Sequence, residues 1–183
     1  MKKKSKVYTM VLAAMFLALA YVLPFLTGQI PEIGAMLCPM HIPVLLCGFL
    51  CGGQWGALVG LSAPLLRSMI LGMPPMFPTA VCMACELTGY GAVTGVLYRR
   101  IPERVKAKRH GQKLWLYLTL LTAMITGRIV WGVAMYLCTG INGGEFGMAA
   151  FLAGAVTNAI PGIVVQLLLI PVLIMALHKQ TAE

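Results

Sequence analysis

The feature that most constrains this chain is the scarcity of charge along long apolar stretches. Charged residues make up 10% of its 183 residues, whereas hydrophobic residues make up 60%. A soluble domain carries about 25% charged residues, and a water-exposed fold would leave much of this apolar surface without cover. The sequence therefore predicts an integral membrane protein in contact with a lipid bilayer.

Six apolar segments are candidates for membrane helices, with boundaries accurate to a few residues. The second is short and contains Pro39 and Pro43 in its first half. The segments cover about residues 7–26, 35–50, 55–71, 79–98, 114–137 and 148–177. We expect an all-α integral membrane protein, a bundle of six transmembrane helices that forms a single domain over residues 1–183.

The basic residues predict the orientation of this bundle. Eleven of the 14 lie in two clusters, at residues 2–6 and 99–113. Cytoplasmic loops are enriched in Lys and Arg, so we expect both clusters and both termini on the cytoplasmic side of a bacterial cell membrane. The three external connections then contain no Lys or Arg. Because no nucleic-acid motif accompanies the clusters, we expect no nucleic-acid partner.

Two local patterns have alternative explanations. The N-terminus resembles a signal peptide, but its apolar run continues to Phe25, which favours a retained helix. Cys82 and Cys85 form a CxxC, but no second pair or histidine at ligand spacing accompanies them. We therefore expect buried thiols and no metal site.

Three charged residues fall within the apolar segments: Arg67, Glu86 and Arg128. Such residues are costly in lipid and are often functional. Together with His41 and Asn158, they come from five helices and fall in the outer half of the membrane or near its midplane. The pattern predicts an outward-facing pocket for a small polar molecule. The excess of arginine over glutamate favours a ligand with an anionic or strongly accepting group.

Each candidate also has a structural explanation. The three charged residues can form an internal ion pair that locks the bundle, and Arg67 can extend to the outer interface. His41 can be an interfacial histidine, and Asn158 can bond a neighbouring helix.

Nothing in the sequence indicates catalysis. The chain has no Asp and no HExxH, GxSxG or Walker motif. One carboxylate and one histidine do not make a convincing acid–base pair. We expect a protein that is not an enzyme, uses no cofactor and has no ATPase of its own. Active uptake would need another subunit or an ion gradient.

Several motifs, most of them between His41 and Arg100, resemble those of the substrate-binding S components of energy-coupling factor (ECF) vitamin transporters. The matching stretches are HIPVLLCGFL at 41–50, WGALVG at 55–60, PLLR at 64–67, GMPP at 72–75 and ELTGYG at 86–91. The resemblance covers nearly the whole chain, including its size, six helices and basic loops. It is greatest to the branch that includes pantothenate carriers.

The resemblance implies a division of labour. An S component binds its vitamin from outside and docks on a transmembrane T component with two ATPase subunits. Ala14 and Ala18 form a small-xxx-small step, which permits close approach of another helix. The two residues resemble the AxxxA surface by which S components dock on the T component. The alternative is that they pack inside the bundle. A stand-alone secondary carrier or channel is the second hypothesis, and a small membrane enzyme or scaffold is the third.

Overall fold

The computed structural model describes residues 5–26, 39–106, 109–141, 147 and 160–180. Within these ranges the chain is helical and contains no β-strand. The helices are α1 (Lys6–Leu26), α2 (His41–Cys51), α3 (Gly53–Leu71), α4 (Val81–Arg99), the single turn α5 (Glu103–Lys106), α6 (Arg109–Ile141) and α7 (Ile160–Gln180). An irregular turn, Met76–Ala80, leads directly into α4. The predicted all-α fold with six principal helices is confirmed.

Four of the described helices are long and apolar enough to cross a membrane. They are α1, α4 with the turn before it, α6 and α7. Large apolar side chains also cover the outside of the bundle, including Met69, Tyr136 and Leu168, which are more than 60% exposed. Such a surface is stable against lipid and not against water, so the chain is a membrane protein.

Two helices differ in length from the predicted segments. α2 has 11 residues and begins at His41, so it is about 16 Å long; residues 35–38 lie outside the described ranges. α6 has 33 residues and begins at Arg109, within the stretch that was predicted to be a loop. The basic residues of that loop had no apolar pattern, which is why hydropathy alone placed the helix start near residue 114.

Two prolines lie where a helix tolerates them best. Pro43 and Pro161 fall in the first turns of α2 and α7, where backbone N–H groups have no partner within the helix. Pro171 lies inside α7, which continues past it. Helix α7 is therefore continuous through Pro171.

Gly52 alone separates α2 from α3. Its φ of 97° and ψ of 170° are values that residues with a side chain rarely adopt. Arg99 Nη2 donates a hydrogen bond of 2.8 Å to the carbonyl oxygen of Cys51, which satisfies an acceptor at the C-terminus of α2. This contact holds the end of α4 against the junction, which we call the Gly52 end of the bundle.

Helices α3 and α4 approach each other through their backbones. A Cβ atom on Gly91 would overlap the carbonyl group of Gly56, and one on Gly60 would overlap that of Leu87. Small residues at a helix interface allow this closeness in a membrane. The seam fixes the rotation of α4 and therefore the direction of Glu86, which lies near the start of that helix.

The core lies between the helices that surround α4. Its buried apolar side chains include Leu45 from α2, Leu87 and Tyr90 from α4, Leu120 from α6 and Ile170 from α7. At one end of this core α2 begins, α3 ends and α4 begins; we call this the His41 end of the bundle.

Candidate functional site

Glu86 is the centre of a buried charged group near the His41 end. Its side chain is 2% exposed, and its Oε1 atom lies 3.0 Å from Arg128 Nη1 and 3.5 Å from His41 Nε2. Both are ion-pair distances, the Arg128 one close and the His41 one longer, and neither Glu86 Oε1 nor His41 Nε2 has a hydrogen-bond partner among the described residues. The three side chains come from α4, α6 and α2, so the group joins three helices.

Tyr90 belongs to the same group. It lies one helical turn after Glu86, so the two side chains share a face of α4. Its ring centroid is 5.3 Å from that of His41, and its hydroxyl is close enough to interact with the Glu86 carboxylate. The ring also occupies the space that a Cβ atom on Gly127 would need. Gly127 therefore makes room for Tyr90 beside Arg128.

Some buried polar atoms of the bundle have no hydrogen-bond partner among the described residues. Within the described ranges, His41 Nδ1, Thr119 Oγ1 and Gln166 Oε1 are buried without a hydrogen-bond partner. Gln166 is on the same side of α7 as Ile170, which packs in the core, and is 1% exposed. Because such atoms are rare in native proteins, each calls for an explanation such as a water or a ligand.

Arg67 makes a different set of contacts. Its Nη1 atom donates a hydrogen bond of 3.3 Å to the carbonyl oxygen of Tyr21, and its guanidinium lies 5.4 Å from the centroid of the Phe25 ring. Both partners are in the last two turns of α1. The structure thus brings His41, Glu86 and Arg128 together but uses Arg67 to hold α1 against α3.

Two further predictions concern residues outside this group. Asn158 lies outside the described residues. Ala14 and Ala18 are exposed on α1, whereas Ala13 and Ala20 are buried against the bundle. Internal packing therefore occupies the other alanines of α1 and leaves the Ala14/Ala18 surface uncovered within the described part of the chain.

Sequence reasoning identified the charged members of the group but omitted Tyr90 and Gly127 from the predicted site. The signal for Tyr90 was its spacing of four residues from Glu86, which places both on one helical face. Gly127 gave no signal by itself, because its importance depends on which ring packs against it in three dimensions.

Together, the fold and this group define a helical membrane protein with charged and hydrogen-bonding side chains buried in its bundle. Residues 8–174 match the family described as the substrate-specific component of the ECF transporter, and the chain belongs to this family. The resemblance noted from the sequence is confirmed. Members of the family are transport subunits and not enzymes. No curated protein and no solved structure is significantly similar to the chain.

Proposed function

We propose that this chain binds a vitamin or a related small polar molecule near the His41 end and delivers it into the cell as the substrate-specific subunit of an ATP-driven ECF transporter. The observation that carries the proposal is the buried group of His41, Glu86 and Arg128 in a chain of this family. Asn158 stays a predicted member of the site.

Buried polar atoms that lack a hydrogen-bond partner favour ligand binding over a purely structural role for this group. An ion pair that only locked the bundle would need Glu86 and Arg128 alone. Here His41 Nδ1 and Gln166 Oε1 are buried without partners in the described ranges. Each such atom carries a desolvation cost of about 1–3 kcal/mol, which a ligand with matching donors and acceptors would remove.

The energy for transport must come from other subunits under this proposal. The chain contains no nucleotide-hydrolysing motif. We propose that a transmembrane T component and two ATPase subunits supply it, and that the T component packs on the Ala14/Ala18 surface. The exposure of both alanines on α1 supports this proposal, because small side chains let a partner helix approach closely.

The orientation follows from the charges at the two ends. Among the described residues, Arg99, Arg100, Arg104 and Lys113 lie at or beyond the Gly52 end, whereas the half toward the His41 end has Arg67 and the buried Arg128. By the positive-inside rule, we propose that the Gly52 end and both termini are cytoplasmic in a bacterial cell membrane. The binding group then lies toward the outside, and residues 1–183 form one membrane domain.

Copurification tests the proposal against a stand-alone carrier. A tagged chain expressed in its native host should retain a T component and two ATPase subunits, and uptake of its ligand should stop when the ATPases carry inactivating Walker substitutions. Uptake by the chain alone in proteoliposomes, driven by an ion gradient, would establish the carrier instead. Pantothenate is the first compound to test, because of the resemblance to that branch.

A further inference from the structure

The charge of the binding group indicates the class of its ligand. From the geometry we infer that the ligand is an uncharged molecule that donates and accepts hydrogen bonds, and not a carboxylate or phosphate. This inference rests on the proposed function, since it assumes that the group around Glu86 binds the transported molecule. It differs from the anionic ligand that the excess of arginine in the sequence suggested.

The first argument is that the buried charges already cancel. Arg128 Nη1 lies 3.0 Å from Glu86 Oε1, so one guanidinium neutralises the one carboxylate. His41 Nε2 lies 3.5 Å from the same oxygen, whereas a charged imidazolium would make a bond of about 2.7–2.9 Å. The contact therefore does not require a charged imidazolium, and the one guanidinium balances the one carboxylate.

The second argument is that, among the described residues, no other Lys or Arg forms an ion pair with the group. Arg67, the other arginine in this half of the bundle, donates to the Tyr21 carbonyl and lies over the Phe25 ring. Residues 27–66, 68–98 and 129–178 contain no Lys or Arg. An anionic ligand would therefore add an unbalanced negative charge in a medium where such a charge is expensive.

The third argument concerns what the group does offer. Within the group, His41 Nδ1 is buried and lacks a partner in the described part of the chain, and Gln166 Oε1 is a second such atom on α7, a helix that packs against α2. A neutral imidazole has one donor and one acceptor nitrogen, and the Gln166 oxygen is an acceptor. A ligand with hydroxyl, amide or ring N–H groups matches this set, because such groups donate and accept without bringing a charge.

The ligand that copurifies with the full chain provides the direct test. Protein purified in mild detergent is denatured, and the released small molecule is identified by mass spectrometry. Titration calorimetry then compares pairs that differ in a carboxylate: pantothenol with pantothenate, nicotinamide with nicotinate, and biotinamide with biotin. We expect an uncharged ligand and, for any pair that binds, tighter binding of the neutral member by tenfold or more, about 1.4 kcal/mol.

A charge substitution makes the test independent of the ligand's identity. Glu86→Gln leaves Arg128 without its carboxylate. For the pair of compounds that binds, the ratio of the affinity for the acid to that for the neutral compound should therefore rise at least about tenfold. Glu86→Gln combined with Arg128→Gln restores neutrality and should restore the preference for the neutral member. This double variant also serves if the single variant does not fold, since removing both partners of a buried pair is better tolerated than removing one.

The outcomes separate the two proposals. A charged native ligand, or tighter binding of the acid by the unaltered protein, would overturn the inference about charge and leave the transport function standing. If no small molecule copurifies and no member of any pair binds, both the proposed function and the inference fail. Glu103→Gln, in the single turn α5 and outside the group, raises the net charge by the same amount as Glu86→Gln and is the control for changes in net charge.

Discussion

Replacing Gly91 with Ala tests whether the backbone contact between α3 and α4 supports this fold. The added Cβ atom would overlap the carbonyl group of Gly56 and lie 2.8 Å from Ala57 N. Ordinary contact begins at 3.4 Å, so even the nitrogen would lie too close. Because all of these atoms are backbone, no side-chain rotation relieves the overlap, and the two helices must separate.

Gly89→Ala is the matched control on the same helix. Its Cβ atom would lie 3.7 Å from Gly127 Cα and 3.8 Å from Val130 Cγ2, which is ordinary contact. Both variants gain up to about 1 kcal/mol of helix propensity, and this gain cancels when the two are compared. Overpacking costs about 1–3 kcal/mol, so Gly91→Ala should be less stable than Gly89→Ala by about that amount.

The comparison is made by unfolding both variants in mixed micelles with increasing SDS, followed by the fluorescence of the native tryptophans. Separation of the helices should also weaken ligand binding in Gly91→Ala, because α4 carries both Glu86 and Tyr90. Equal stability of the two variants would refute the reasoning, since it would mean that α3 and α4 have space between them at Gly91.

Three further predictions concern the site, the partner surface and the orientation. Arg128→Ala should weaken ligand binding by about 1.5–3 kcal/mol, or roughly 10- to 150-fold in Kd, because it leaves Glu86 buried without its cation. Calorimetry on monodisperse protein measures the affinity. An unchanged affinity would mean that the ion pair has only a structural role. Replacing both Ala14 and Ala18 with Trp should abolish uptake yet spare ligand binding. The control Val164→Trp, at an exposed apolar position of α7, should affect neither. Normal uptake by the Ala14/Ala18 variant would mean that the docking surface lies elsewhere. In a chain without native cysteines, Gly143→Cys should react with a membrane-impermeant thiol reagent from outside and Arg104→Cys only from the cytoplasm, and the reverse pattern would contradict the orientation.

The charged members of the candidate site were predictable because lipid makes them conspicuous. A charged residue inside an apolar segment is expensive, so Glu86 and Arg128 stood out from one sequence. Their partnership was not predictable, since Glu86 had two arginines to choose from. The sequence places Arg67 closer in the chain, yet Arg67 contacts α1 and Arg128 pairs with Glu86.

The sequence by itself determined the class of protein, the approximate positions of the helices and the family. Those properties depend on the length of apolar runs, on the distribution of charge and on motifs within single helices, all of which are local in the chain. The tertiary structure decided which polar groups meet, because that depends on the rotation of each helix about its axis. Here the glycine seam between α3 and α4 sets that rotation and turns Glu86 toward α2 and α6, while the contacts of Arg67 with Tyr21 and Phe25 turn its charge away. A substrate site in a membrane bundle arises from such rotations, since the same residues on helices turned by a quarter would face lipid.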